Sequence, residues 1–150
     1  MKNLRLILKV RPLSYNVYYR NSRTGKRLKT GLGLAYDELL EVEFSGHSKE
    51  LCELGKSVDQ SKDIVSIDLE IANPRFYIKD GSRINQTAGD VDNYVKILQD
   101  KIARMMGVDD FLFRQGSQRD FPSDMDLIII TLKVIPHPDF LSSELLLKSV

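Results

Sequence analysis

Apolar and polar positions alternate near the N-terminus, where Leu4, Leu6, Leu8 and Val10 are interleaved with Arg5, Ile7, Lys9 and Arg11. A period of two places every second side chain on one face, so the stretch predicts a half-buried strand. Pro12 ends it by removing a ladder donor, and the segment from there to Gly33 reads as a long polar loop. Leu34 to Phe44 reads as a helix, with Leu39, Leu40 and Val42 to pack and its acids outside. Gly46 breaks it, and a second helical piece, Lys49 to Gly55, follows. Val65, Ile67, Leu69 and Ile71 then alternate with Ser66, Asp68, Glu70 and Ala72, which is the cleanest strand pattern in the chain, closed by Asn73-Pro74.

An extended piece, Phe76 to Ile78, continues the sheet, and the polar residues 79–89 read as a loop. The clearest helix runs from Val91 to Met106. Its apolar residues Val91, Tyr94, Val95, Leu98, Ile102, Met105 and Met106 recur at three- and four-residue steps. Asp90 is placed to cap its start and Gly107 its end. Leu127 to Val134 is a final strand, and Pro136 and Pro138 set off residues 136–150 as a C-terminal appendage. The order of strand, helix, strand, helix, strand predicts α+β architecture. Residues 1–150 are expected to form a single two-layer domain, a mixed β-sheet packed with two main helices.

A chain of 150 residues with 42% hydrophobic and 29% charged residues has the balance of one ordinary domain. Cys52 stands alone, which excludes an internal disulfide and a multi-cysteine zinc site. With no signal peptide in view, this suggests a cytoplasmic protein. The longest uninterrupted apolar run, Leu127 to Ile130, is far too short to span a bilayer. The net charge of +1 is uninformative, but its distribution is not. Arg20, Arg23, Lys26, Arg27 and Lys29 fall within ten residues that contain no acid, whereas 37–70 is rich in Asp and Glu. A basic run of this kind is either a phosphate-binding footprint or a solvated loop, and charge alone favours the solvated loop.

Asp90 and Asp92 flank one apolar residue at the helix start, and Lys96 follows Asp92 by four, on the same face. Asp109 and Asp110 come just after the helix ends. Carboxylates that converge in a partly dehydrated site need a proton or a cation. Oxygen-only ligands prefer hard cations such as Mg²⁺ or Mn²⁺. Such a site, with an ammonium beside it, suits phosphodiester hydrolysis. Taken alone, the same acids are better explained by the helix dipole and a surface ion pair.

Three separated segments change that balance. Arg11-Pro12-Leu13-Ser14-Tyr15-Asn16-Val17-Tyr18 resembles the Pro-Pro-Ser-x-Asn-x-x-Tyr signature of the RusA-type Holliday-junction resolvases. Gly33-Leu34-Ala35-Tyr36 is similar to that family's Gly-x-Ala-Tyr helix opening. Gly89-Asp90-Val91-Asp92-Asn93-Tyr94-Val95-Lys96 resembles its Arg-Asp-Leu-Asp-Asn-x-x-Lys motif, with Gly107-Val108-Asp109-Asp110 at a suitable distance beyond. The resemblance covers about residues 4–134. It implies that Asp90, Asp92 and Asp110 bind metal, that Lys96 is catalytic and that Asn93 orients the acids. It also implies a homodimer that nicks four-way DNA junctions symmetrically with Mg²⁺ or Mn²⁺, since a twofold substrate with two scissile phosphates calls for two identical sites. Neither a membrane nor a small-molecule cofactor is implied.

The chain departs from the family pattern in three places. Gly89 stands where the family has a basic residue. A shorter helix-to-Asp110 connection leaves Asp109 as an alternative ligand, and the tail from Pro136 is longer than the family core. Two other functions are therefore carried, a junction-binding module without catalysis and a less selective flap or single-strand nuclease. Arg20, Arg27 and Lys29 are the candidate DNA contacts. Tyr15, Tyr18 and Tyr19 either meet bases or bury their rings. His47 and His137 read as surface residues, and Cys52 as a packed thiol.

Overall fold

The N-terminal alternation is strand β1, Asn3–Leu8, with exposed and buried positions in strict succession. The computed structural model describes residues 2–74 and 94–149. The predicted extended piece 76–78, the loop 79–89, and the helix start at Asp90 to Asn93 lie outside the described residues. The next elements are helix α1 (Tyr15–Tyr18), strands β2 (Tyr19–Asn21) and β3 (Arg27–Lys29), and helices α2 (Gly31–Ser45) and α3 (Ser48–Lys56). They are followed by strand β4 (Asp63–Ala72), helix α4 (Val95–Met106), strands β5 (Phe113–Phe121) and β6 (Leu127–Pro136), and helix α5 (Ser143–Lys148). A 3-10 turn at Asp110–Leu112 joins α4 to β5.

The architecture is α+β. The main sheet has the order β1-β6-β4-β5, antiparallel at its first two pairings and parallel between β4 and β5. Register explains its two faces. Leu6 pairs with Ile130, which pairs with Leu69, and Leu4, Leu132 and Ile67 form the next rung. All of these are buried and join Leu40, Phe44, Leu51, Leu54, Leu98 and Ile102 of the helices in one core. The other face carries the alternate positions. There Asp68 accepts hydrogen bonds from the Ser117 amide (2.9 Å) and hydroxyl (2.7 Å), and Glu70 pairs with Arg119. One apolar and one polar face is the pattern of a two-layer domain.

Three expectations are corrected. The supposed loop from Pro12 to Gly33 contains α1 and the β2–β3 hairpin, whose ladder pairs Tyr19 with Lys29 and Asn21 with Arg27. In α2 the inward residues are Gly33, Tyr36, Leu40 and Phe44, while Leu39 and Val42 are 54% and 71% exposed. At about 100° per residue, position 42 lies some 200° from position 40, so Leu39, Leu40 and Val42 cannot share one face. Cys52 is exposed, because α3 turns Leu51, Leu54 and Gly55 inward.

Strand β5 was not foreseen. Its nine residues are polar and largely exposed at the sheet edge, held by the backbone ladder to β4. Because β4 and β5 are parallel, the chain between them must cross over, and α4 lies on that crossover. The appendage ends in α5, none of whose residues is buried. Among the described residues, no helix is long and apolar enough to cross a membrane.

Candidate active site

Helix α4 positions the site. Its buried stripe, including Ile97, Leu98 and Ile102, faces the sheet and leaves Lys96, Asp100 and Arg104 in four-residue steps along an open flank. Gly107 ends the helix with a left-handed φ of 71°, and the Val108 amide closes back on the Ala103 carbonyl at 3.1 Å. That turn sends the chain back beside α4, and Asp100, Arg104, Val108, Asp109 and Asp110 line one shallow depression.

The structure separates the two neighbouring acids. Asp109 is the cap of the 3-10 turn, its carboxylate accepting from the Phe111 amide at 3.3 Å. Asp110, the first residue of that turn, is exposed. Partial burial, and next the negative charge of Asp110, raise the Asp100 carboxyl above its ordinary value, against the opposing pull of Lys96 and Arg104. Two carboxylates in one depression fit a hard divalent cation. Among the described residues, no group of three or more His, Cys, Asp or Glu forms a metal cage. Asp90, Asp92 and Asn93 lie outside the described residues.

Asp100 was missed in the sequence, although the four-residue series Asp92, Lys96, Asp100, Arg104 was a readable signal for it. Lys96 reaches from the other end of the flank, its ammonium 5.5 Å from the centre of the Tyr15 ring. Tyr15 thereby joins α4 to the hairpin. The Arg27 guanidinium lies 4.7 Å from the Tyr15 ring centre and 5.5 Å from that of Tyr19. Arg20 is exposed in a shallow depression shared with Tyr15, Asn16, Tyr19, Asn21 and Arg27. Tyr18 is buried, whereas Tyr15 and Tyr19 are half-buried.

Lys29 has a partner already. Its ammonium lies 2.8 Å from Asp37, whose other oxygen accepts from the Tyr18 hydroxyl at 2.6 Å. Burial, then the bond to Asp37, pushes the Tyr18 hydroxyl up to about 12. Burial works to raise Asp37 as well, but the bonds from Lys29 and Tyr18 outweigh it and hold the carboxyl below its usual value. The hydrogen bonds to Asp37 and Tyr18 raise Lys29. A depressed carboxyl stabilises the fold above its unfolded value of about 4, and that stabilisation is lost as pH falls through the folded value. The raised lysine contributes fully below about pH 10 and loses its contribution only in more alkaline solution. Asp37→Ala removes the acceptor of the Tyr18 hydroxyl and the counter-charge of Lys29. It is expected to cost about 1–3 kcal/mol at pH 7 and to flatten the acid limb of stability below about pH 4. Urea unfolding at pH 7 and pH 3 checks both expectations.

No protein-family model matches the sequence, and no curated protein matches it.

Proposed function

We propose that the chain is a divalent-metal-dependent endonuclease of the RusA type that nicks four-way DNA junctions. The observation that carries this reading is Asp110 beside Asp100 in one depression, with Lys96 on the same flank of α4 as Asp100 and its ammonium against Tyr15, where Arg27 of the hairpin also lies. Asp90, Asp92 and Asp110 would hold Mg²⁺ or Mn²⁺, with Asn93 orienting the acids. When bound, the cation supplies charge neutralisation at the phosphodiester. Lys96 stabilises the negative charge that grows on the phosphate oxygens during attack. Arg20 and Arg27 contact the backbone and fix the register of the DNA, and Lys29 does so in exchange with Asp37. A homodimer supplies the second site that a symmetric junction needs. The setting is the cytoplasm, in keeping with the single cysteine, and neither a membrane nor a small-molecule cofactor takes part.

The purified chain is expected to nick a synthetic four-way junction at two symmetric positions with Mg²⁺ and to leave it whole with chelator. Flap and linear duplex substrates assayed alongside should be cut more slowly. Equal rates on all three would make it a general nuclease. Tight junction binding without nicking in Mg²⁺ or Mn²⁺ would make it a binding module.

A further inference from the structure

Between the hairpin and α4 lies a cleft of about 200 Å³. That is below the roughly 300–1,000 Å³ of sites for drug-sized ligands, and its lining restricts the ligand further. Among the described residues that line it, three cations, Lys29, Lys101 and Arg104, are matched by three acids, Asp37, Glu41 and Asp100. Two of these cations are already paired in place, Lys29 with Asp37 at 2.8 Å and Lys101 with Glu41 at 2.6 Å. A bare phosphate entering the cleft would meet three carboxylates, and a bare cation would meet three cations. A neutral group with hydrogen-bonding edges meets neither penalty. The remaining surface is largely aromatic. Tyr15 and Tyr19 stand edge to face at 5.0 Å, and Tyr18 and Tyr19 at 4.6 Å. The rings of Tyr15 and Tyr19 are half-buried, with the exposed Arg27 side chain over both, so a base reaches them as that guanidinium swings to the strand's phosphate. Two further cations stand at the rim, where Arg27 and Lys96 both lie over the Tyr15 ring.

We propose that this cleft receives one unstacked nucleobase of the bound strand, held against Tyr15 and Tyr19, with the adjoining phosphates on Arg27 and Lys96. Every base has a π-face, so an aromatic wall binds bases of any sequence, and rim cations track the backbone. Asp100 lines both this cleft and the depression that holds Asp110, so a base seated here puts its own strand beside the acids. The choice of DNA as the source of the base rests on the nuclease reading above. The cleft itself requires only a strand with an unpaired base.

The test uses the full chain with 5-iododeoxyuridine, which crosslinks to aromatic side chains in contact with the base under long-wavelength ultraviolet light. It is placed either in a single-stranded oligonucleotide or at the exchange point of a four-way junction, with Ca²⁺ in place of Mg²⁺. The crosslink is expected in the tryptic peptide Val10–Arg20, which holds Tyr15, Tyr18 and Tyr19 because trypsin does not cut Arg11–Pro12. Tyr15→Ala is expected to weaken oligonucleotide binding roughly 5- to 100-fold and Tyr15→Phe to retain it. Tyr15→Leu, which keeps apolar bulk, serves if the alanine variant fails to fold, and it too should lose the crosslink to residue 15. A crosslink confined to any other peptide, or parent-level binding by a folded Tyr15→Leu, overturns the cleft assignment. If junctions are cut yet no label reaches Val10–Arg20, the cleft inference fails and the nuclease reading survives. If the single strand crosslinks there yet no junction is cut in Mg²⁺ or Mn²⁺, the cleft stands and the nuclease reading fails.

Discussion

Asp110→Asn is expected to lower junction cleavage by at least about 10²-fold while leaving junction affinity at or above the parent level. The amide keeps the size of the carboxylate and removes the charge a hard cation needs. Asp109→Asn is the matched control. The Asp109 carboxylate caps the 3-10 turn, and asparagine caps a turn as well as aspartate does, so this variant should cut near the parent rate. Lys96→Ala should cost about 10²–10³ in rate.

The sharper measurement is the pair Asp92→Asn and Asp110→Asn. Helix α4 has twelve residues and therefore spans about 18 Å, with Asp92 preceding one end and Asp110 following the other. Only the return of the chain at Gly107 brings Asp110 back alongside Asp100. If Asp92 and Asp110 hold the same ion, within one subunit or across two, the double variant is no slower than the worse single one. Fully multiplicative losses would mean separate sites, and the shared-metal assignment would be wrong. Mn²⁺ binding followed by electron paramagnetic resonance tests the same assignment without turnover, since each single variant should then lose the same ion.

What the sequence disclosed, and what it hid, follows from where each residue gets its stability. Strands β1, β4 and β6 bury one alternating face against the helices, so a period of two was visible in them. Strand β5 draws its stability from backbone pairing with β4 and from polar contacts such as Ser117 to Asp68, and neither leaves a hydrophobic signature. The β2–β3 hairpin is only three residues to a strand and almost wholly exposed, so it too lacked a pattern. The inner face of α2 was misassigned because Tyr36 and Phe44, rather than the aliphatic Leu39 and Val42, reach the core.

The site divides in the same way. Lys96 was marked by its step from Asp92, and it does stand on the open flank of α4. The distinction between Asp109 and Asp110 was beyond the sequence, because it depends on which carboxylate the 3-10 turn consumes as its cap. The engagement of Lys29 by Asp37 was hidden for a related reason, since the two meet only once the hairpin lies across α2. Polar partners chosen by tertiary placement leave no period in the chain, whereas apolar faces do.

Gly55→Ala is expected to be among the most damaging single-methyl changes in the domain, destabilising it by about 3 kcal/mol. A Cβ at position 55 would stand 1.8 Å from the Met106 carbonyl oxygen and 2.6 Å from its carbonyl carbon. The obstruction is backbone, so no rotamer change relieves it, and α3 and α4 must move apart. Leu51, Leu54, Leu98 and Ile102, all fully buried beside that crossing, would lose contact as they did so. Gly46→Ala is the comparison. Gly46 has φ −68°, and nothing lies within 4 Å of a Cβ there, so alanine should be neutral or stabilise by up to about 1 kcal/mol. Urea midpoints for the two variants measure the difference. The consequence reaches the site, because Met106 is the last residue of α4 and Gly107 sets the turn that returns Asp110 to Asp100. At a temperature where Gly55→Ala is still folded, cleavage should therefore fall while Gly46→Ala keeps the parent rate. Equal activity in the two folded variants would show that the spacing of α3 and α4 does not govern where Asp110 sits.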